Sequence, residues 1–200
     1  MNQKPYFGIL LILMSAGIIF GFRGCTKEKS FEPGPAPEMH YTSHNDLKVI
    51  DMNMRSIDVD GDGKNDFSFQ VLPVGDPVLQ RDRKQFYIYS KTHTALLNDA
   101  NDFSPALVLD DRIMPMHQGF AWWEISAVVM AEKITPSVGI PTWEGNFVNA
   151  SNKFVGFRMQ KPDGYYYGWI QLSIDQDKEE LKIHKSGIAL KPDVVVKAGR

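Results

Sequence analysis

Turn punctuation constrains this chain more than any other feature of its sequence. From Asp46 onward glycines and prolines recur at short intervals, and no long stretch keeps the 3.6-residue apolar period of a helix packed on one face. Between them lie short runs rich in β-branched and aromatic residues, at 47–54, 67–71, 86–89, 120–125, 154–159, 165–174, 181–184 and 194–196. Phe67-Ser68-Phe69-Gln70-Val71 alternates cleanly, as a strand with one buried face must. Lys161-Pro162-Asp163-Gly164 separates two such runs, the proline presetting φ and the glycine accepting a positive one, which predicts a hairpin. Residues 126–133 read as a strand or one buried helical turn, and residues 92–100 are compatible with a short helix. No internal repeat marks a propeller or solenoid. The expected fold is all-β: a single antiparallel β-sandwich, jelly-roll-like, over residues 46–200.

Composition removes several classes of function. With 23% charged and 12% aromatic residues, the 200-residue chain is too apolar and too aromatic for a disordered one. A formal net charge of -2 supplies no basic surplus to offset phosphates, so no nucleic-acid partner is expected.

The first residues read as an export signal. Lys4 is the only charge before Arg23, and residues 7–22 are all apolar, Ser or Gly. A 16-residue run falls short of the roughly 20 needed to cross a bilayer comfortably, so a cleaved signal is favoured over a transmembrane anchor. Phe22-Arg23-Gly24-Cys25 resembles a bacterial lipobox, in which a small residue precedes a cysteine that is acylated and becomes the new N-terminus. Arg23 departs from the small or aliphatic residue usual at its position. Cys25 is the only cysteine, so lipidation also accounts for an odd thiol in an exported chain. The division is then signal at 1–24, acylated Cys25 with a linker at 25–45, and a folded domain at 46–200. Pro33, Pro35 and Pro37 alternate with other residues in that linker, which favours an extended spacer. Losing 1–24 removes Lys4 and Arg23 but no acid, so the acidic excess grows and membrane attachment rests on acyl chains rather than on charge. The expected location is the outer membrane or cell surface.

The strongest chemical signal is Asp58-Val59-Asp60-Gly61-Asp62-Gly63-Lys64-Asn65-Asp66. Carboxylates fall at relative positions 1, 3, 5 and 9, with Gly63 at position 6 to permit a sharp turn. A hard cation such as Ca2+ takes six to eight oxygens, and alternate side chains converging from a tight loop supply several of them. The expected ligands are Asp58, Asp60, Asp62 and Asp66, with the backbone carbonyl of Lys64. The loop is not an EF-hand: position 12 is Phe69 rather than a bidentate glutamate, and a strand follows. It resembles the DxDGDGxxD loops of dockerins, thrombospondin-type repeats and extracellular β-domains. The competing reading is a metal-free Asp/Gly turn. If Ca2+ binds, its expected role is structural, because an ion held by four carboxylates has few open positions for substrate.

Several blocks together resemble one family of secreted bacterial proteins. These are Ser56-Ile57-Asp58-Val59-Asp60-Gly61-Asp62-Gly63, Asn65-Asp66-Phe67-Ser68-Phe69, Phe154-Val155-Gly156-Phe157-Arg158 and Tyr167-Gly168-Trp169-Ile170-Gln171-Leu172. Similar chains occur among exported proteins with C-terminal sorting signals and among Bacteroidota surface lipoproteins. The resemblance implies a compact extracellular β-domain and carries no catalytic assignment.

Other motifs are absent from the sequence. His40, His44, His93, His117 and His184 form no HxH pair, only His40 and His44 stand at HxxxH spacing, and there is no GxSxG, Walker or GxGxxG motif. Glu179-Glu180 and Asp110-Asp111 read as solvated turns. Tyr165, Tyr167 and Trp169 share one strand face, and Trp169 is expected to pack in a core. Adjacent Trp122 and Trp123 on one strand must face opposite sides, so this pair and Trp143 are the candidate ligand-binding aromatics. The expected function is a non-enzymatic, membrane-anchored lipoprotein with a structural calcium loop, serving binding, adhesion or assembly with a glycan or surface-protein partner. The alternatives are a carbohydrate-binding module of a glycan-uptake system, and a glycoside hydrolase or lyase built from distant acids.

Overall fold

The computed structural model describes residues 36–200. The signal and Cys25 lie outside the described residues. Thirteen strands and no helix form among these residues, and every pair of neighbouring strands runs antiparallel.

One sheet has six strands in the order β1 (Met39–Val49), β12 (Glu180–Ala189), β11 (Gly164–Asp175), β10 (Lys153–Lys161), β5 (Thr94–Asn98) and β7 (Ala121–Glu124). The second has five, in the order β2 (Arg55–Ile57), β3 (Phe67–Asp76), β4 (Arg81–Ser90), β8 (Ala127–Pro136) and β9 (Thr142–Glu144). The short strands β6 (Arg112–Ile113) and β13 (Val196–Lys197) pair with each other.

Period-two patterning builds the main core between the two large sheets. Phe67, Phe69 and Val71 of β3, with Phe86 and Ile88 of β4, meet Val155, Phe157 and Met159 of β10 and Ile170, Leu172 and Ile174 of β11. The rings of Phe67 and Phe157 are 4.9 Å apart across this interface, tilted at 54°. Gly168 makes room for that packing: a Cβ there would lie 2.3 Å from Phe157 Cζ and 2.5 Å from the Gly187 carbonyl oxygen. The antiparallel sandwich expected from the sequence is therefore what forms.

The outer face of the six-stranded sheet carries a second core. Phe154, Tyr167, Trp169 and Ala189 point away from the main core and pack under Leu107, Ile113, Val196 and Ala198, so the β6–β13 ribbon covers them. Trp169 is fully buried there, its indole N–H donating to the Arg200 carbonyl at 3.0 Å. It packs as expected, but against the ribbon rather than between the sheets. Burial on both faces explains why β10 and β11 read as nearly continuous apolar runs.

Three local readings change. Residues 92–100 do not form a helix: Thr94–Asn98 is a strand buried at every position, paired with β10 and β7. A five-residue run with three apolar residues in a row, between Thr94 and Asn98, has no visible period, so its state is decided by neighbours. The ambiguous 126–133 segment is the start of β8. The first strand begins at Met39, inside the stretch assigned to the linker, and pairs along β12 from Met39↔Ala189 to Val49↔Leu181. Asn45 and Asp46 mark a bulge within that strand, both at positive φ, a conformation these two residues tolerate better than most. Glu179-Glu180 is not a solvated turn either. Glu179 holds Lys84 and Lys133, and Glu180 is buried against Lys48 and Lys182.

Candidate metal centre

The aspartate loop is the nine-residue connection between β2 and β3. Its base is closed where Ile57 pairs with Phe67 and the Asp66 N–H donates to the Ile57 carbonyl at 2.9 Å. Val59 is completely buried and ties the rising limb of the loop to the main core. Gly61 and Gly63 both take positive φ, 79° and 86°, which lets the chain double back within three residues.

The turn wraps around one carboxylate. Asp58 Oδ1 accepts the N–H groups of Asp60 at 3.2 Å and Gly61 at 2.7 Å, and its Oδ2 accepts that of Gly63 at 2.7 Å. Asp66 reaches back from the end of the loop to accept the Val59 N–H at 2.9 Å. The result is a trio, Asp58, Asp60 and Asp66, with one carboxylate oxygen from each within 4.8 Å of the others. An all-oxygen donor set at that spacing fits a metal ion of the hard, oxygen-seeking class. Asp62 is not one of the trio. The Asp62 carboxylate accepts the Lys64 backbone N–H at 2.8 Å and faces the Lys64 ammonium at 3.1 Å.

Electrostatics show the strain of this arrangement. Burial pushes the Asp66 carboxyl up to about 6 against the Val59 hydrogen bond, with the charges of Asp60, Asp58 and Asp62 adding to the rise. The site also has an internal cation that sequence reasoning missed. Lys161, from the β10–β11 hairpin, places Nζ 2.8 Å from Asp60 Oδ2, with the ammonium 4.9 Å from the Tyr166 ring centroid. It comes from a hundred residues away, so no local motif could announce it. Two β1 histidines also border the loop. A Cβ on Gly61 would touch the His40 ring at 3.5 Å, and His44 donates to or accepts from Ser186 Oγ at 3.0 Å. Burial lowers the His44 pKa, with the Asp58 charge opposing.

The three candidate tryptophans do not share one platform. Trp122 and Trp123 take opposite faces of β7; Trp122 is half-buried beside Tyr167, 5.8 Å between rings, whereas Trp123 is 50% exposed. Trp143 lies on β9 of the other sheet, packed on Phe86 at 5.5 Å. Comparison of the chain with protein-family models, with curated proteins and with solved structures finds no match.

Proposed function

We propose that this chain is an exported, lipid-anchored lipoprotein whose non-enzymatic β-sandwich is braced by a structural Ca2+ at the aspartate loop. The observation that carries the metal part is the convergence of Asp58, Asp60 and Asp66 on one point beside a fully buried Val59. Ca2+ bound there would neutralise carboxylates that otherwise repel one another and lock the turn that feeds Phe67 into the core. The chain's own part is to fix Asp58 with three N–H donors and Asp66 with one, so that two ligands are oriented beforehand. Asp62 and the Lys64 carbonyl complete the expected set once Asp62 turns from its lysine, and water fills the remaining positions.

The anchor part is supported by the sequence: a short apolar run, Gly24-Cys25, and a proline-spaced linker before the first strand. The role that follows is binding, adhesion or assembly at the outer membrane or cell surface, with a glycan or surface protein as partner.

Both parts are testable on the full chain. Equilibrium dialysis at pH 7.5 is expected to find one Ca2+ per wild-type chain and none in the Asp58→Asn, Asp66→Asn double variant. No Ca2+ on the wild type would defeat the metal reading. Metabolic labelling with a fatty acid is expected to mark the wild type and not Cys25→Ser; label retained by the variant would defeat the anchor reading.

A further inference from the structure

The ribbon of β6 and β13 leaves part of the outer face of the six-stranded sheet uncovered, at the β5–β7 edge. A cross-strand row there runs Glu124, Ala95, Arg158, Tyr167. Alanine in the second position leaves a gap between the glutamate and the arginine. That gap is a cavity of about 60 Å3 lined by His93, Ala95, Glu124, Arg158, Gln160 and Tyr165. It is several times the ~10–15 Å3 that a single water requires.

Arg158 is the unusual member. Its guanidinium carbon lies 4.4 Å from the Tyr165 ring centroid and 5.4 Å from that of Trp122. Trp122 is itself fixed, its indole N–H donating to the Pro115 carbonyl at 3.0 Å. Arg81, Arg83 and Arg200 each pair with a carboxylate, and Arg55 and Arg112 are exposed. Arg158 is half-buried and, among the described residues, makes no ion pair. A partly desolvated cation without an anion is costly to keep unless something outside the chain supplies one. Contact with two rings restricts the guanidinium, so a planar oxyanion meeting its N–H edge faces a reduced ordering penalty.

Glu124 does not serve as that anion. Its Oε1 accepts the His93 backbone N–H at 2.6 Å, which holds the carboxylate on the far wall across Ala95. A bare anion in the cavity would therefore meet a negative wall, whereas a ligand with hydroxyl groups beside its carboxylate would donate to it. Gln160 offers both a donor and an acceptor at the same mouth. Carboxylate, neighbouring hydroxyls and an apolar ring face to lie along Tyr165 belong together in a sugar acid.

We propose that Arg158, Glu124, Gln160 and Tyr165 form a binding subsite for a uronic-acid residue of an acidic glycan, Arg158 pairing with the carboxylate and Glu124 accepting from the hydroxyls. The subsite deepens the glycan-partner reading and does not depend on the metal loop.

Calorimetric titration of the full chain with trigalacturonate, maltotriose and acetate tests it. All runs contain chelator, so that uronate-bound Ca2+ cannot contribute. Trigalacturonate is expected to bind at least tenfold tighter than either control. Arg158→Gln is expected to lose about tenfold or more in affinity, and Arg158→Lys, which keeps the charge but not the fork, several-fold. Glu124→Gln is expected to weaken trigalacturonate and, by removing the negative wall, to bind acetate no more weakly than the wild type. Melting curves of the Arg158 variants check folding, and Arg158→Lys carries the argument if Arg158→Gln unfolds. Equal binding of trigalacturonate and maltotriose, no binding of trigalacturonate, or undiminished binding by Arg158→Lys would each overturn the proposal. Acetate binding as tightly as trigalacturonate would overturn its sugar part.

Discussion

Asp66→Asn should have opposite effects on stability with and without the cation. In the metal-free protein the folded state raises the Asp66 carboxyl from 3.8 to about 6, chiefly by burial. A raised carboxyl pKa means that folding favours the protonated acid. Its contribution to stability is full below pH 3.8 and is lost as pH rises through about 6. At pH 7.5 the ionised group is therefore a liability, of about 1–2 kcal/mol after allowing for solvent screening of a half-buried carboxyl. Asparagine removes the charge and can still accept the Val59 N–H through its amide oxygen. In chelator at pH 7.5 the variant should melt higher by about 2–8 °C, taking about 2–4 °C per kcal/mol for a chain of this size. At pH 5, which lies between 3.8 and about 6, roughly half of the difference should remain, and it should vanish only below pH 3.8. In about 5 mM Ca2+ the wild type should gain about 2 kcal/mol if its Kd is near 0.1 mM, and the variant should gain little. The order of the two melting temperatures would then close up or invert. The assay is a set of melting curves at two pH values, each with chelator and with Ca2+. A variant less stable than wild type by the same amount in all four conditions would refute the reasoning, since Asp66 would then act only as a hydrogen-bond acceptor.

Lys161→Met should leave the well-shielded Asp60 carboxylate without its partner, destabilising the protein in chelator by about 1–2 kcal/mol in urea unfolding while tightening Ca2+ several-fold by calorimetry. Weaker Ca2+ binding by this variant would show that the lysine supports the site rather than competing for it. Gly168→Ala should cost about 1–3 kcal/mol, read as a lower urea midpoint at unchanged m-value, because the new Cβ meets Phe157 and the Gly187 carbonyl oxygen. A neutral result would mean that the Phe67–Phe157 contact relaxes freely. Asp60→Ala with Asp62→Ala should lower the melting temperature more in millimolar Ca2+ than in excess chelator, where only the pairs with Lys161 and Lys64 are lost; equal losses in both would count against a metal.

What the sequence made legible was local. Alternation at 67–71, the Pro162-Asp163 hairpin and the spaced acids each carry their information within a dozen residues, and each lies where its pattern implies. What it hid depends on partners distant in the chain. Thr94–Asn98 became a strand because β10 and β7 flank it, and a pentamer buried at every position has no period from which to read that. The double burial of Phe154–Trp169 required a ribbon assembled from residues 112–113 and 196–197. At the candidate centre, the acids were visible and their convergence was not. Asp58, Asp60 and Asp66 meet, while Asp62 is taken by Lys64, a choice made by side-chain geometry rather than by spacing. Lys161 and the Arg158 cavity were invisible for the same reason, since each is formed by residues that only the sheet brings together.

Thermal unfolding of the full chain at pH 7.5, titrated with Ca2+, with Mg2+ and with chelator, tests the central claim most directly. The account predicts a midpoint that rises with Ca2+ up to millimolar concentration, rises far less with Mg2+, and returns to its starting value in chelator. A midpoint indifferent to Ca2+ would contradict it and leave the aspartate loop a turn whose charge is offset by Lys161 and Lys64.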